Sequence, residues 1–458
     1  MANKIVQLSV STTNAPAPST LQRTGALISQ GGSNYVTGTL NLLTQLSDLT
    51  AHLPAALTIS AITWSASVVS VTLSTAHGWG LADVIPVTVS GCTPAGYNGT
   101  FSATVTGTTT FTYPLSVNPG VISVKGFAIL ADNAELLSMA TTYFAQGAQN
   151  SVYVLELGEG TVSAGVTALT TFINANPGTV YSYLVPREWD VNASFLAFLG
   201  NYNNTTAQTY FFITTTTGTY SQYSSLDKCA FLMIQAPLAP ATEFTCAAPF
   251  WVTLNYNPNF AGLVTPLSFS FLYGVTPYPT TGNGTLFTNL KTANVNYVGT
   301  GAEGGLPSNA VLYWGTMLDG NPFNYWYSID WLCLTSDTFL SNAVINGSNN
   351  PQAPLLYNQS GINVLQDTET SVVSNGVSYG LAIGSVRQTA LPTAQFAANF
   401  ANGDYLDQLV VNADPFLSYT ATHPTAYGTG TYGGLSVVWI PARGFTSILV
   451  SINATNFV

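Results

Sequence analysis

The chain has 458 residues, of which 47% are hydrophobic and only 6% charged, where soluble proteins average about 25% charged. Eight basic against 19 acidic side chains give a net charge of -11. This excludes a phosphate-tracking surface, which needs clustered Lys and Arg; here they are scattered singly from Lys4 to Arg443. The length implies about two to four packed units. A surface of Ser, Thr, Asn, Gln, Gly and Tyr suits extensive protein–protein contact, because interface cores are poor in ions and rich in aromatics. A neutral-surfaced, carbohydrate-binding β-protein fits the composition equally well.

In chain order, the amino terminus carries no apolar block or small-residue cleavage site, so no secretory signal is expected and synthesis in a cytoplasm is. Val6, Leu8 and Val10 alternate with polar residues, the period of a strand. Ala15-Pro16-Ala17-Pro18 follows as a stiff linker, so this strand must pair with a sheet elsewhere. Residues 24–51 predict a strand at 25–29, another at 40–43, and a short helix at 44–51. From about 53 to 125 the chain turns Val/Thr/Ser-rich. Short alternating strands are predicted at 68–74, 85–89, 100–106 and 110–116, separated by turns at Asn98-Gly99 and 107–109. After Gly126 helices and strands alternate. A helix at 134–146, capped by Asp132-Asn133, precedes a strand at 151–157; a helix at 164–174 precedes a strand at 180–186. A helix at 193–200 and strands at 210–214 and 230–235 complete the series. That order predicts a largely parallel or mixed sheet with helices on its faces, interrupted by a β insertion. Beyond about 291 comes a second body rich in Asn, Gly and aromatics, with a helix at 394–400. The closing strand has Ile448, Val450 and Ile452 in alternation, and Gly444 is expected to allow a sharp turn before it. No apolar run reaches the roughly 20 residues of a membrane span, and the nearest candidate, 269–275, is broken by Ser, Tyr and Gly.

Little in the chain speaks for catalysis. His52, His77 and His423 fall in different predicted units. The cysteines Cys92, Cys229, Cys246 and Cys333 are widely spaced, without a C-x-x-C pair, and are expected as reduced core residues, with no metal or cofactor. Gly158-Glu159-Gly160 lacks the Lys of a P-loop and the third Gly of a dinucleotide fingerprint. The carboxylate pairs Glu156/Glu159, Asp367/Glu369 and Asp404/Asp407 are the candidates for a glycosidase acid and base.

Several stretches, taken together in order and spacing, resemble the contractile-tail sheath proteins of myophages, in the branch with an inserted β domain. They are Tyr143-Phe144-Ala145-Gln146-Gly147, the run 152–158 (VYVLELG), 172–186 (FINANPGTVYSYLVP), 294–299 (NVNYVG), Trp331-Leu332, Gly361-Ile362 and 434–445 (GLSVVWIPARGF). The resemblance implies a mixed α/β sheath core, an inserted all-β domain (an Ig-like sandwich or small barrel), and extended amino- and carboxyl-terminal strand arms. It divides the chain into an arm and linker (1–23), an α/β sheath domain (24–51 with 127–290), the insert (52–126), a carboxyl-terminal inner domain (291–443) and a terminal arm (444–458). It further implies a non-enzymatic virion subunit, assembled in the host cytoplasm as stacked hexameric rings around a tail tube, whose contraction drives the tube through the host envelope. Its partners would be neighbouring sheath subunits, the tube, baseplate and tail terminator proteins, with no nucleic acid and no membrane insertion. Val6, Leu8, Val10, Ile448, Val450 and Ile452 would make the inter-subunit strand pairs. A tail fibre or adhesin, or less well a tail-associated polysaccharide hydrolase, is the competing reading.

Overall fold

The computed structural model describes residues 21–147, 151–158, 160–259, 264–279, 281–300 and 310–447. Val6, Leu8, Val10, Ile448, Val450 and Ile452 lie outside the described residues. The described chain forms two compact units. One contains Leu21–Asn257, Val264–Tyr327 and 443–447; the other contains Ser328–Ala442 with 258–259. Residues 291–327 thus go with the first.

The first unit is built on near-continuous apolar runs, which suit strands buried on both faces. These are β1 (Gly25–Ser29), β9 (Val152–Glu156), β10 (Ser182–Leu184), β11 (Tyr210–Thr215) and β12 (Ala230–Ile234). They lie parallel in the order β12-β11-β10-β1-β9, and β2 (Thr39–Leu43) adds antiparallel to β9 at the end. The crossovers are helical. Leu169 and Phe172 of α3 (Val162–Ala175), Phe195 and Phe198 of α4 (Ala193–Gly200) and Leu290 of α6 (Gly284–Thr292) share one core with Ile28, Leu155, Phe211 and Leu232. Leu27, Val154 and Phe212 alternate with these, so they point to the opposite face. There α2 (Ala131–Phe144) packs with α5 (Ala247–Leu254), and Phe250 meets Phe212 at 5.1 Å and Tyr143 at 6.2 Å. A short α1 (Leu46–Thr50) follows β2. Beyond β12, a bridge from Met233 to Asn296 leads to the antiparallel pair β13 (Tyr297–Thr300) and β14 (Ala310–Tyr313).

Between α1 and α2 the chain forms a closed barrel. Its strands are β3 (Leu57–Ser65), β4 (Val68–Leu73), β5 (Val84–Thr93), β6 (Gly99–Val105), β7 (Thr110–Pro114) and β8 (Val124–Leu130), in the order β3-β4-β7-β6-β5-β8. A barrel, then, and not a sandwich, is what the Val/Thr alternation produces. Val69, Val71, Val87, Val89, Val105, Phe111 and Tyr113 fill its interior. Gly126, which reads in sequence as the point where helices resume, lies inside β8. Its φ is +63°, and a Cβ there would run into the carbonyl of Ser90 on β5. Only Gly lets the two strands cross so closely. Asp132-Asn133 does not cap α2 either. The helix starts at Ala131, straight from the end of β8, with Leu130 at the N-cap and Asp132 in the first turn.

In the second unit, β15 (Ser385–Thr389) runs parallel to β16 (Gln408–Ala413), and β17 (Leu435–Val438) runs antiparallel on its other side. Two long helices accompany this sheet: α7 (Phe323–Ser348), which enters from the first unit, and α8 (Gln359–Ser378). Val373 of α8 and Leu332 of α7 pack with Leu409 and Val411. Phe396 of α9 (Thr393–Ala401) packs with Tyr405, Val410 and Val438. The sequence predicts α9 but neither long helix. Their interiors are full of Ser, Thr and Asn, residues that sequence patterns assign to turns. Here they bond back to the carbonyl four residues earlier, as Thr338 does to Leu334 O, Thr370 to Gln366 O and Ser374 to Thr370 O.

Candidate assembly surface

A sheet end with unpaired N–H and C=O groups is a template for another strand. Among the described residues the six- and three-stranded open sheets offer three such ends without a further bridge: β2 in the first unit, and β15 and β17 in the second; the other end of the six-stranded sheet, β12, is bridged at Met233 to Asn296. Edges are ordinarily guarded by Lys, Pro or bulges. β2 reads TLNLL and β17 reads LSVV, with no charge and no Pro. Leu42 on β2 is 49% exposed, and Val36 just before it is 72% exposed. On β15 the one charged residue is Arg387, whose Nη1 donates to Gln408 Oε1 at 3.3 Å. The chemistry of all three edges is therefore uncharged or nearly so, in keeping with the composition. Sequence reading named the arms as the pairing elements but not these receiving edges.

Gly444, before the terminal segment, has no left-handed φ. It is needed for a close approach, since a Cβ would collide with Pro266. Beside it Arg443 stacks over Tyr325 at 4.5 Å and donates to Asn321 Oδ1 at 2.8 Å, fixing where the chain leaves the described residues.

Of the groups weighed for catalysis, His77 and Glu156 line one cavity beside the barrel, and each side chain named below is held in its own local contacts. His52 stacks on Tyr35, His77 on Trp79 and His423 on Tyr419. Glu156 is 1% exposed and accepts from Gly31 N, Ser29 Oγ, Ser33 N, Ser33 Oγ and Gly158 N; Glu159 lies outside the described residues. Asp367 accepts from Gln388 Nε2 at 2.8 Å. Glu369 is buried against Ser336 Oγ at 2.7 Å, and burial pushes its carboxyl up. Cys92, Cys229 and Cys246 are buried free thiols, but Cys333 is exposed on α7 and is no core residue. Among the described residues no cluster of His, Cys, Asp or Glu could hold a metal, and no helix is long and apolar enough to cross a membrane.

One charged cluster escapes sequence reasoning because its members are far apart in the chain. Arg187, after β10, pairs with Glu135 of α2 at 3.2 Å and donates to Gln235 Oε1 and to Glu243 O, tying the ends of β10 and β12 to α2 and to the loop before α5. Asp132 and Glu188 stand nearby without a cation of their own among the described residues. Burial first, then the neighbouring carboxylates Glu188 and Glu135, push Asp132 up to about 9; burial and Glu135 push Glu188 up to about 7.

No family profile and no curated protein matches the chain in sequence. Solved structures do match in fold. A chain of the anti-feeding prophage baseplate, determined with six-fold symmetry, superposes with a TM-score of 0.53 at 10% identity, covering 99% of each chain. A chain of the anti-feeding prophage helical sheath in its contracted state superposes with a TM-score of 0.50 at 9% identity, again over 99% of each. The fold is that of a contractile tail sheath-like protein, over the whole length of the chain.

Proposed function

We propose that the chain is the structural subunit of a contractile tail sheath, which polymerises as stacked hexameric rings around a tail tube and contracts to drive that tube through a host envelope. The observation that carries this reading is the end-to-end fold likeness to assemblies of that kind, one of them six-fold symmetric and one contracted. Three sheet ends carrying a single charge between them, Arg387, give the likeness a physical basis. In this account the arms bearing Val6, Leu8 and Val10 at one end and Ile448, Val450 and Ile452 at the other add to such ends on neighbouring subunits, and the barrel is an insert facing away from the tube. Each added backbone hydrogen bond contributes only about 0.5–1.5 kcal/mol net. A lattice of many such links keeps subunits joined while they slide between extended and contracted packing. The energy then resides in the metastable extended lattice, and no nucleotide or other cofactor takes part. Tube, baseplate and terminator proteins are the proposed partners, and the phage tail, assembled inside the host cell, is the proposed location. The test is electron microscopy of concentrated purified protein with and without 445–458: cylinders from the full chain and none from the truncated one are expected.

A further inference from the structure

Where the barrel meets the carboxyl ends of β1 and β9 there is a cavity of about 420 Å³, within the range of small-molecule sites. Trp79, His77 and Tyr35 line it. Trp79 stacks on His77 at 4.5 Å, and Tyr35 stacks on His52 at 4.4 Å. His77 is held as a neutral ring: its Nδ1 accepts from Trp79 N at 3.0 Å, so Nε2 carries the proton donated to Gly107 O at 2.8 Å, and burial lowers its pKa. No Lys or Arg lines the cavity, while Glu156 does. Anions are therefore disfavoured. Both oxygens of Glu156 are already taken by five protein donors, so it is no ligand for a cation. The Asn34 side-chain amide and the Thr37 hydroxyl, both on exposed residues lining the cavity, are left without a partner among the described residues.

Flat aromatic faces, a free amide, a free hydroxyl and no accessible charge match one ligand class: a ring with an apolar C–H face and a hydroxyl-bearing edge. We infer that this cavity binds a neutral pyranose, either a free sugar or one residue of a surface glycan, between the 77–79 loop of the barrel and the 31–37 loop of the sheet. The inference does not depend on the sheath reading; a chain that never polymerised could still bind the sugar.

The test is saturation-transfer NMR and tryptophan fluorescence on the full chain, with a panel of neutral free hexoses and N-acetylhexosamines, their methyl glycosides, and glucuronate and glucose 6-phosphate as anionic counterparts. At least one neutral sugar should bind with a dissociation constant on the order of 1 mM, and the anionic ones should not. Asn34→Ala should weaken it about three- to tenfold, as expected for one lost hydrogen bond, and Trp79→Ala should abolish it. Because Trp79→Ala could disturb the barrel, the exposed Asn34 is the deciding variant. Binding of methyl glycosides as well as free sugars identifies a glycan residue as the ligand; binding of reducing sugars alone identifies a soluble one. No response from any neutral sugar, equal binding of anionic sugars, or full affinity in Asn34→Ala overturns the inference.

Discussion

The barrel and the two open sheets are made from similar residues, yet they end differently. The barrel's six strands close on themselves, so every strand has two neighbours and no backbone template is left. The six- and three-stranded open sheets stop at β2, β15 and β17 with one neighbour each, and at β12, where Asn296 bridges Met233. The charge-poor composition that leaves those ends unguarded is harmless in the barrel and consequential in the sheets. On the proposed reading, the capacity to polymerise belongs to the sheets and the arms, and the barrel can vary without touching it.

The largest effect expected from this contrast follows removal of 445–458. Buried aliphatic side chains contribute roughly 1.5–3 kcal/mol each, so losing Ile448, Val450 and Ile452 should raise the assembly concentration at least tenfold, read by sedimentation. On the proposed reading, in which these residues pair with a neighbouring subunit, the melting temperature of the monomer should hold. Val450→Pro should act in the same direction, more weakly, by removing one ladder donor. Next, Phe111→Ala empties the centre of the barrel and should cost about 3–5 kcal/mol there. The expected readout is a separate early calorimetric transition with assembly retained. If assembly is lost with the barrel, the two regions are not independent.

How far the sequence foretold this contrast depends on where the apolar signal is clean. The apolar run 210–214 appears as β11 with one residue added, and 193–200 is α4 end for end, because continuous apolar runs and an Asn192 cap are unambiguous. The strand ending the barrel was masked by Gly126, and α7 and α8 by hydroxyl residues whose polarity is satisfied within the helix itself. The charged cluster around Arg187 and the cavity beside Trp79 were illegible, since both join residues brought together only by the fold. The strand arms proposed for pairing lie outside the described residues.

Two smaller predictions concern single residues of the first unit. Asp132 is pushed upward in the folded state, so its protonated form is favoured there. Its contribution is fully present below its ordinary carboxyl pKa of 3.8 and is lost as pH rises through about 9. Melting temperature should fall across that window, and Asp132→Asn should flatten the fall. Glu188, raised to about 7, adds to the slope in the lower part. The smallest effect is expected at Val191, a β-branched residue at φ +50° whose N–H donates to Tyr223 Oη at 3.0 Å. Val191→Gly keeps that bond and relieves the strain but gives up the side chain's packing against the core, so the net change in chemical denaturation should stay within about 1 kcal/mol.

The central claim is that open, uncharged sheet ends and strand arms make this chain a sheath-like polymer. Cryo-electron microscopy of the purified full-length protein at high concentration addresses it most directly. The account predicts hollow cylinders of six subunits per ring, with a strand from a neighbouring subunit lying along β15, β17 or β2. A protein that stays monomeric across concentrations and buffers, or cylinders in which all three edges remain bare, would contradict it.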